Sequence, residues 1–253
     1  MYTFFRVFTG FCFFMIIPAF LSCSRVKDVK NETFSDAIQV KNEINDDDTD
    51  TDAGFHTDLL NCLEGDVYLW KLVDKQHPLP ADYAPSDLVV LADSSYLVSR
   101  AGLMLRSAAA EALEEMAAAA RAEGITLIAS SAYRSFEYQA GLYDRNVREM
   151  GQEAADRESA RPGTSQHQTG LALDFGSIDD SFALSAAGLW MAANASRFGW
   201  SLSYPEGYEE LTGYRWESWH YRYVGKTLAA FIDNYFDGIQ QYALLFLHEW
   251  EKM

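Results

Sequence analysis

Two short segments restrict what this chain can fold into more than anything else in it. The first runs Ser165-Gln166-His167-Gln168-Thr169-Gly170-Leu171-Ala172-Leu173-Asp174, and the second is Glu217-Ser218-Trp219-His220. His167 and Asp174 are seven positions apart, too far for one helical face to bring together, so a loop and the following strand must present them. Gly170 between them permits the backbone conformation such a turn needs. The two segments together hold two imidazoles, a carboxylate ligand and a second carboxylate three residues before a histidine. A catalytic zinc ion needs that inventory: three N/O ligands, an open position for water and a nearby base. The chain has five histidines, and two of them fall here.

A formal charge of −17 excludes the clustered Lys and Arg of a nucleic-acid surface and polybasic attachment to anionic lipid. Much of the acidity is local. Between Ser24 and Asn61 there are ten Asp/Glu against four Lys/Arg, crowded into Asp46-Asp47-Asp48-Thr49-Asp50-Thr51-Asp52. That run lacks the Gly and closing Glu of a calcium loop, so residues 24–57 are expected to be a disordered acidic linker. Ahead of it, Arg6 and an apolar stretch from Phe11 to Leu21, interrupted by Pro18, have the form of a signal-peptide core too short to span a bilayer comfortably. Phe20-Leu21-Ser22-Cys23 resembles the bacterial signal for cleavage and acylation at cysteine. Residues 1–23 are therefore expected to export the chain, with a lipid on Cys23 tying it to a membrane. A plain signal peptide or an uncleaved anchor would also place the domain outside the cytoplasm. Cys12 and Cys23 being accounted for, Cys62 is alone. Beside Leu59, Leu60 and Leu63 it reads as a buried thiol rather than part of a disulfide framework.

Ordered sequence is expected from Asp58, over residues 58–253. The segment to Leu97 reads as a short element, a turn and a wrapping loop. Apolar residues at spacings of three and four predict a helix from Leu103 to Glu123, with Gly124 just past its end. Ile125 to Ser130 reads as a strand. A second helix is expected after Ser135, carrying Tyr138, Leu142 and Val147 towards Met150 and ending near Gly151. Arg161 to Thr164 is a turn, and Leu171 to Phe175 a strand ending at Gly176. A helix over Trp190–Phe198, strand material at Trp200–Tyr204 and Tyr214–Tyr223, and a helical tail broken near Gly238 complete the pattern. Helices and strands mix without βαβ alternation, which predicts an α+β domain: a small, mostly antiparallel sheet flanked by helices.

Ser130-Ser131-Ala132-Tyr133-Arg134-Ser135 with Gln139, then Arg161 to Asp174, then Thr212-Gly213-Tyr214 and Glu217 to Gly225, resemble the VanY-type D-alanyl-D-alanine carboxypeptidases. These belong to the zinc peptidoglycan peptidases that also include the VanX dipeptidases. The likeness spans roughly Leu88 to Leu228, with all motifs in order. It implies a single DD-peptidase-like zinc domain in which His167, Asp174 and His220 bind Zn²⁺, Glu217 is the catalytic base and Arg134 faces the substrate and its transition state. Peptidoglycan stem peptides are the implied partners. Two positions depart from the pattern: Ser218 stands where Pro is common, and Ser203 where many relatives have Arg before Tyr204-Pro205. Neither is a ligand.

Taken alone, a His–Asp pair is most often a surface hydrogen bond; the Glu217-x-x-His220 motif is what turns it into a metal site. Arg134 alone could bridge surface carboxylates. Ser165 and Gln139 are read as substrate-binding, although Ser165 could serve only as a turn cap and Gln139 as helix surface. Trp219 reads as core, and His56, His77 and His248 as loop or surface residues. The leading expectation is a D,D-carboxypeptidase. An L,D-carboxypeptidase acting on tetrapeptide stems shares the chemistry, and a zinc-containing peptidoglycan-binding module without turnover would have been free to lose Glu217.

Overall fold

Alanine-rich sequence with apolar residues on one face produces the helix that organises the domain. In the computed structural model, which describes residues 49–252, that helix runs Ser107–Ala122 and buries Ala109, Ala112, Leu113, Met116, Ala117 and Ala120. Glu111, Glu114 and Glu115 face outward. Each fully buried Leu or Met on such a face stabilises the fold by about 1.5–3 kcal/mol. Gly124, at φ +80°, follows the end of the helix, where a left-handed residue satisfies the last turn. The expected start at Leu103 is corrected: Met104–Arg106 is a strand paired with Leu88–Val90, and Leu105, fully buried, is a strand residue.

In chain order the elements are helices α1 (Thr49–Leu63) and α2 (Val67–Trp70), strands β1 (Leu88–Val90), β2 (Leu97–Val98) and β3 (Met104–Arg106), then α3 (Ser107–Ala122). Next come β4 (Ile128–Ser131), α4 (Phe136–Met150), α5 (Gln152–Glu158), a 3₁₀ turn (Gln166–Thr169) and β5 (Ala172–Phe175). The remainder is a 3₁₀ turn (Asp180–Leu184), α6 (Ala186–Asn194), a 3₁₀ turn (Ala195–Phe198), β6 (Trp200–Leu202), α7 (Glu209–Thr212), β7 (His220–Tyr223), α8 (Lys226–Tyr235) and α9 (Gln240–Trp250). Five strands form one sheet in the order β2-β4-β5-β7-β6. Only the β2–β4 pair is parallel; the other pairs are antiparallel. The expected α+β architecture is therefore what is found.

One core lies around α3 and the sheet, with Leu127, Leu171, Leu173, Phe175, Trp200, Trp219 and Tyr221 among its buried side chains. A second joins α1, α8 and α9 through Leu59, Cys62, Leu228, Phe231, Ile232, Leu244 and Leu247. Cys62 is buried, and burial pushes its thiol up to about 12, so it is a packing residue rather than a nucleophile. The helix α1 also corrects the domain boundary. Residues 49–57, expected inside the acidic linker, are helical, and Phe55 within them meets Phe231 of α8. The signal segment, Cys23 and the linker up to residue 48 lie outside the described residues.

Candidate active site

Register places the chemistry-bearing residues in one row. Asp174 on β5 is paired with His220 on β7 and, on its other side, with Ser131 on β4 next to a bulge. β5 is the central strand and all four of its residues are buried, so Asp174 is delivered to the interior. His167 reaches the same place from the 3₁₀ turn that precedes the strand. Ser165 caps that turn, its Oγ accepting the His167 N–H at 3.3 Å. Gly170 ends it at φ +71°, with Arg106, Leu88 and Pro85 atoms within 2.9–3.2 Å of where a Cβ would stand. Positive φ and a crowded position act in the same direction here. Gly170→Ala should therefore lower stability by about 1–3 kcal/mol, read as a drop in melting temperature with the zinc content of the folded fraction retained.

Ligand-capable atoms of His167, Asp174 and His220 lie within 4.8 Å of one another, and all three residues are buried. Each imidazole commits one nitrogen elsewhere. His167 Nδ1 donates to the Ala132 carbonyl at 2.8 Å, and His220 Nε2 donates to Gln166 Oε1 at 3.2 Å. The unprotonated nitrogens, His167 Nε2 and His220 Nδ1, sit 3.3 and 3.0 Å from the Asp174 oxygens. Asp174 Oδ1 is buried and accepts no hydrogen bond, although His220 Nδ1 is the nearer neighbour, because that nitrogen carries a lone pair. A buried acceptor left so costs about 1–3 kcal/mol. A cation answers all three groups at once, and two neutral imidazoles with one carboxylate are a donor set that fits zinc.

The electrostatics agree. Burial, then the nearby Arg134 charge, holds the His167 imidazole down at about 4, which keeps it in the neutral form that binds metal. Glu217 sits at the edge, its Oε2 3.5 Å from His220 Nδ1. Burial, then the Asp174 carboxylate, pushes its carboxyl up to about 8. A cation on the three ligands would draw it back towards the ionised form. A carboxylate poised near neutrality and next to a metal site can accept a proton from water and return it.

Arg134 is held by three partners. Its Nη2 donates to Asp174 Oδ2 at 2.9 Å and to Ser131 Oγ at 3.0 Å, and its Nη1 donates to Gln139 Oε1 at 3.3 Å. Its own N–H donates to the His167 carbonyl at 3.3 Å, which ties the loop after β4 to the histidine turn. Gln139, on α4, is buried and donates to the Ala160 carbonyl at 2.7 Å, so it is a brace for Arg134 and not helix surface. Ser165 and Gln139 are both buried and hydrogen-bonded to protein partners beside the ligand cluster. On α4 the buried residues are Gln139 and Tyr143, while Tyr138 is exposed.

Sequence reasoning missed three contributors. Ser131 fixes the Arg134 fork. Tyr204 packs its ring 4.8 Å from that of His220 and 4.9 Å from that of Tyr214. Gln166 accepts from His220, and only its position beside a ligand histidine pointed to it. Trp219 is core as expected.

Residues 102–226 match the family model described as VanY, D-alanyl-D-alanine carboxypeptidase. A Bacillus subtilis (strain 168) protein named as a candidate carboxypeptidase, YodJ, is 35% identical over 218 residues, covering 83% of this chain and 76% of its own. Among solved structures, the LdcB LD-carboxypeptidase, described with its peptidoglycan recognition, is 37% identical at a TM-score of 0.63. It matches over 69% of this chain and 84% of its own. A variant of the D,D-pentapeptidase VanY from a VanB-type resistance cassette, in complex with Zn(II), is 33% identical at a TM-score of 0.59. There the coverage is 70% of this chain and 99% of the other.

Proposed function

Because this chain belongs to the VanY family of D-alanyl-D-alanine carboxypeptidases, zinc metallopeptidases that hydrolyse a peptide bond, we propose that it removes the terminal D-alanine from peptidoglycan stem peptides. The observation that carries this reading is the convergence of His167, Asp174, His220 and Glu217 on one buried point. The three ligands would hold Zn²⁺, which when bound supplies a Lewis acid that polarises a carbonyl and acidifies water. Glu217 takes the proton of the attacking water and passes it to the leaving amine. Such general acid–base help is worth about 10²–10⁴-fold. Arg134, always charged and held in a fixed orientation by Asp174, Ser131 and Gln139, stabilises the negative charge that develops on the carbonyl oxygen. Ser165 and Gln139, beside the His167 turn and Arg134, are the residues proposed to bind the substrate. The export signal read in residues 1–23 suits a substrate that lies outside the cytoplasm, with the lipid on Cys23 as the proposed tie to a membrane.

Arg134→Lys keeps the charge but cannot reach three partners at once. kcat and kcat/KM should fall together, by about tenfold to hundredfold, because the missing interaction belongs to the transition state. A raised KM at unchanged kcat would assign Arg134 to the substrate's terminal carboxylate instead.

One observation favours a second reading, L,D-cleavage of tetrapeptide stems: the similarity to LdcB is at least as close as that to VanY. A non-catalytic module is disfavoured by the presence of Glu217 and Arg134 together in the site. Incubating the purified chain with a pentapeptide stem ending in D-Ala-D-Ala and with the tetrapeptide stem, and measuring released D-alanine, separates these. Faster release from the pentapeptide is expected. Release from the tetrapeptide alone would establish the L,D-activity, and release from neither would leave the binding module.

A further inference from the structure

The ligand His220 is the end of a buried chain of side-chain amides that begins on the last helix. Gln240, at the first turn of α9, donates its Nε2 to the Ser201 carbonyl at 3.2 Å. Its Oε1 accepts from Gln166 Nε2 at 3.2 Å. Gln166 Oε1 in turn accepts from Ser203 Oγ at 2.7 Å and from His220 Nε2 at 3.2 Å. All four side chains are buried.

Each link follows from the one before. A backbone carbonyl can only accept, so the Gln240 amide must turn its nitrogen to Ser201 and its oxygen to Gln166. Gln166 must then meet Gln240 with its nitrogen, which leaves its oxygen facing His220. An oxygen there admits one neutral tautomer of His220, the one with its proton on Nε2. That places the lone pair on Nδ1, the nitrogen next to Asp174 Oδ1. Ser203, which the sequence pattern set apart only as a departure from the family, supplies the second donor that fixes the Gln166 oxygen in place.

We propose that Gln240, through Gln166 and with Ser203 as its clamp, is a positioning residue that sets the tautomer and ring orientation of the metal ligand His220. The C-terminal helix α9 is then part of the zinc site, although the match to the family model ends at residue 226, ahead of this helix. The alternative is that the amides merely satisfy one another in a polar patch of core. The two differ in what the metal feels. Partners that orient a ligand histidine typically change metal affinity or activity by about 10–100-fold when removed, whereas core satisfaction changes folding stability alone.

The proposal rests on the three-ligand metal site, and its test reads zinc binding directly. The zinc dissociation constant of the full chain and its variants would be measured by competition with a chromogenic chelator, together with the melting temperature of the metal-free form. Gln166→Leu should weaken zinc by about 10–100-fold. Gln240→Leu and Ser203→Ala should weaken it less, by roughly threefold to tenfold, since each leaves one restraint on Gln166. The double variant Gln166→Leu/Gln240→Leu should bind no more weakly than Gln166→Leu alone, because both act through one path. Gln166→Glu, which still accepts from His220 and Ser203 but loses its donor to Gln240, should weaken zinc less than Gln166→Leu does, by roughly threefold to tenfold. Leu244→Ala, on the same helix but in the apolar core, should lower the melting temperature and leave zinc affinity within about twofold, since it acts on folding alone. Parent-like zinc affinity in both Gln166→Leu and Gln240→Leu, or fully additive losses in the double variant, would overturn the proposal. A parent chain that binds no zinc would overturn the metal site itself.

Discussion

Replacing Glu217 by glutamine should leave zinc bound while turnover falls at least about a hundredfold. The amide keeps the shape of the carboxylate but cannot accept a proton. Its surroundings make the loss clean. Glu217 sits next to His220 without being one of the three ligand groups, and its backbone N–H donates to the Tyr204 carbonyl at 3.0 Å, so the position survives the exchange. The buried site also favours a neutral side chain over a charged one, and the variant should fold as well as the parent. Metal analysis and steady-state kinetics on one peptide are sufficient. Activity within a fewfold of the parent would place the general base elsewhere.

Removal of any one ligand should abolish zinc and activity together. In His167→Ala, Asp174→Asn and His220→Ala only two strong ligands remain, and three are the minimum for a tight catalytic site. The loss of the metal's Lewis acidity, worth several kcal/mol, predicts at least about a thousandfold fall in turnover. Asp174 should be the most damaging, because it also accepts from Arg134. Its replacement leaves a guanidinium that is only 17% exposed without its carboxylate, and breaking a buried pair on one side costs about 3–5 kcal/mol. Full zinc occupancy after any of these changes would remove that residue from the ligand set.

The parts of the fold that could be read in advance are those set by short-range rules. The α4 boundaries followed from Ser135, whose Oγ accepts the Tyr138 N–H at 3.2 Å, and from Gly151 at its end. Gly170 and Gly124 were identified for the positive φ they adopt. The clustering of His167, Asp174 and His220 was legible because each residue sits in a compact motif. What failed depended on distant partners. Met104–Arg106 is a strand because Leu88–Val90 pairs with it, and its apolar spacing merges with that of α3. The amide chain behind His220 joins residues 37, 54 and 74 positions apart, and no local pattern encodes that.

Zinc dependence tests the account most directly. The purified chain would be stripped of metal with a chelator, dialysed, and assayed for D-alanine release from the pentapeptide stem before and after return of one equivalent of Zn²⁺. Activity should disappear on stripping, return with zinc in the parent, and fail to return in Asp174→Asn. Undiminished release from fully stripped protein would contradict a catalytic site built on His167, Asp174 and His220.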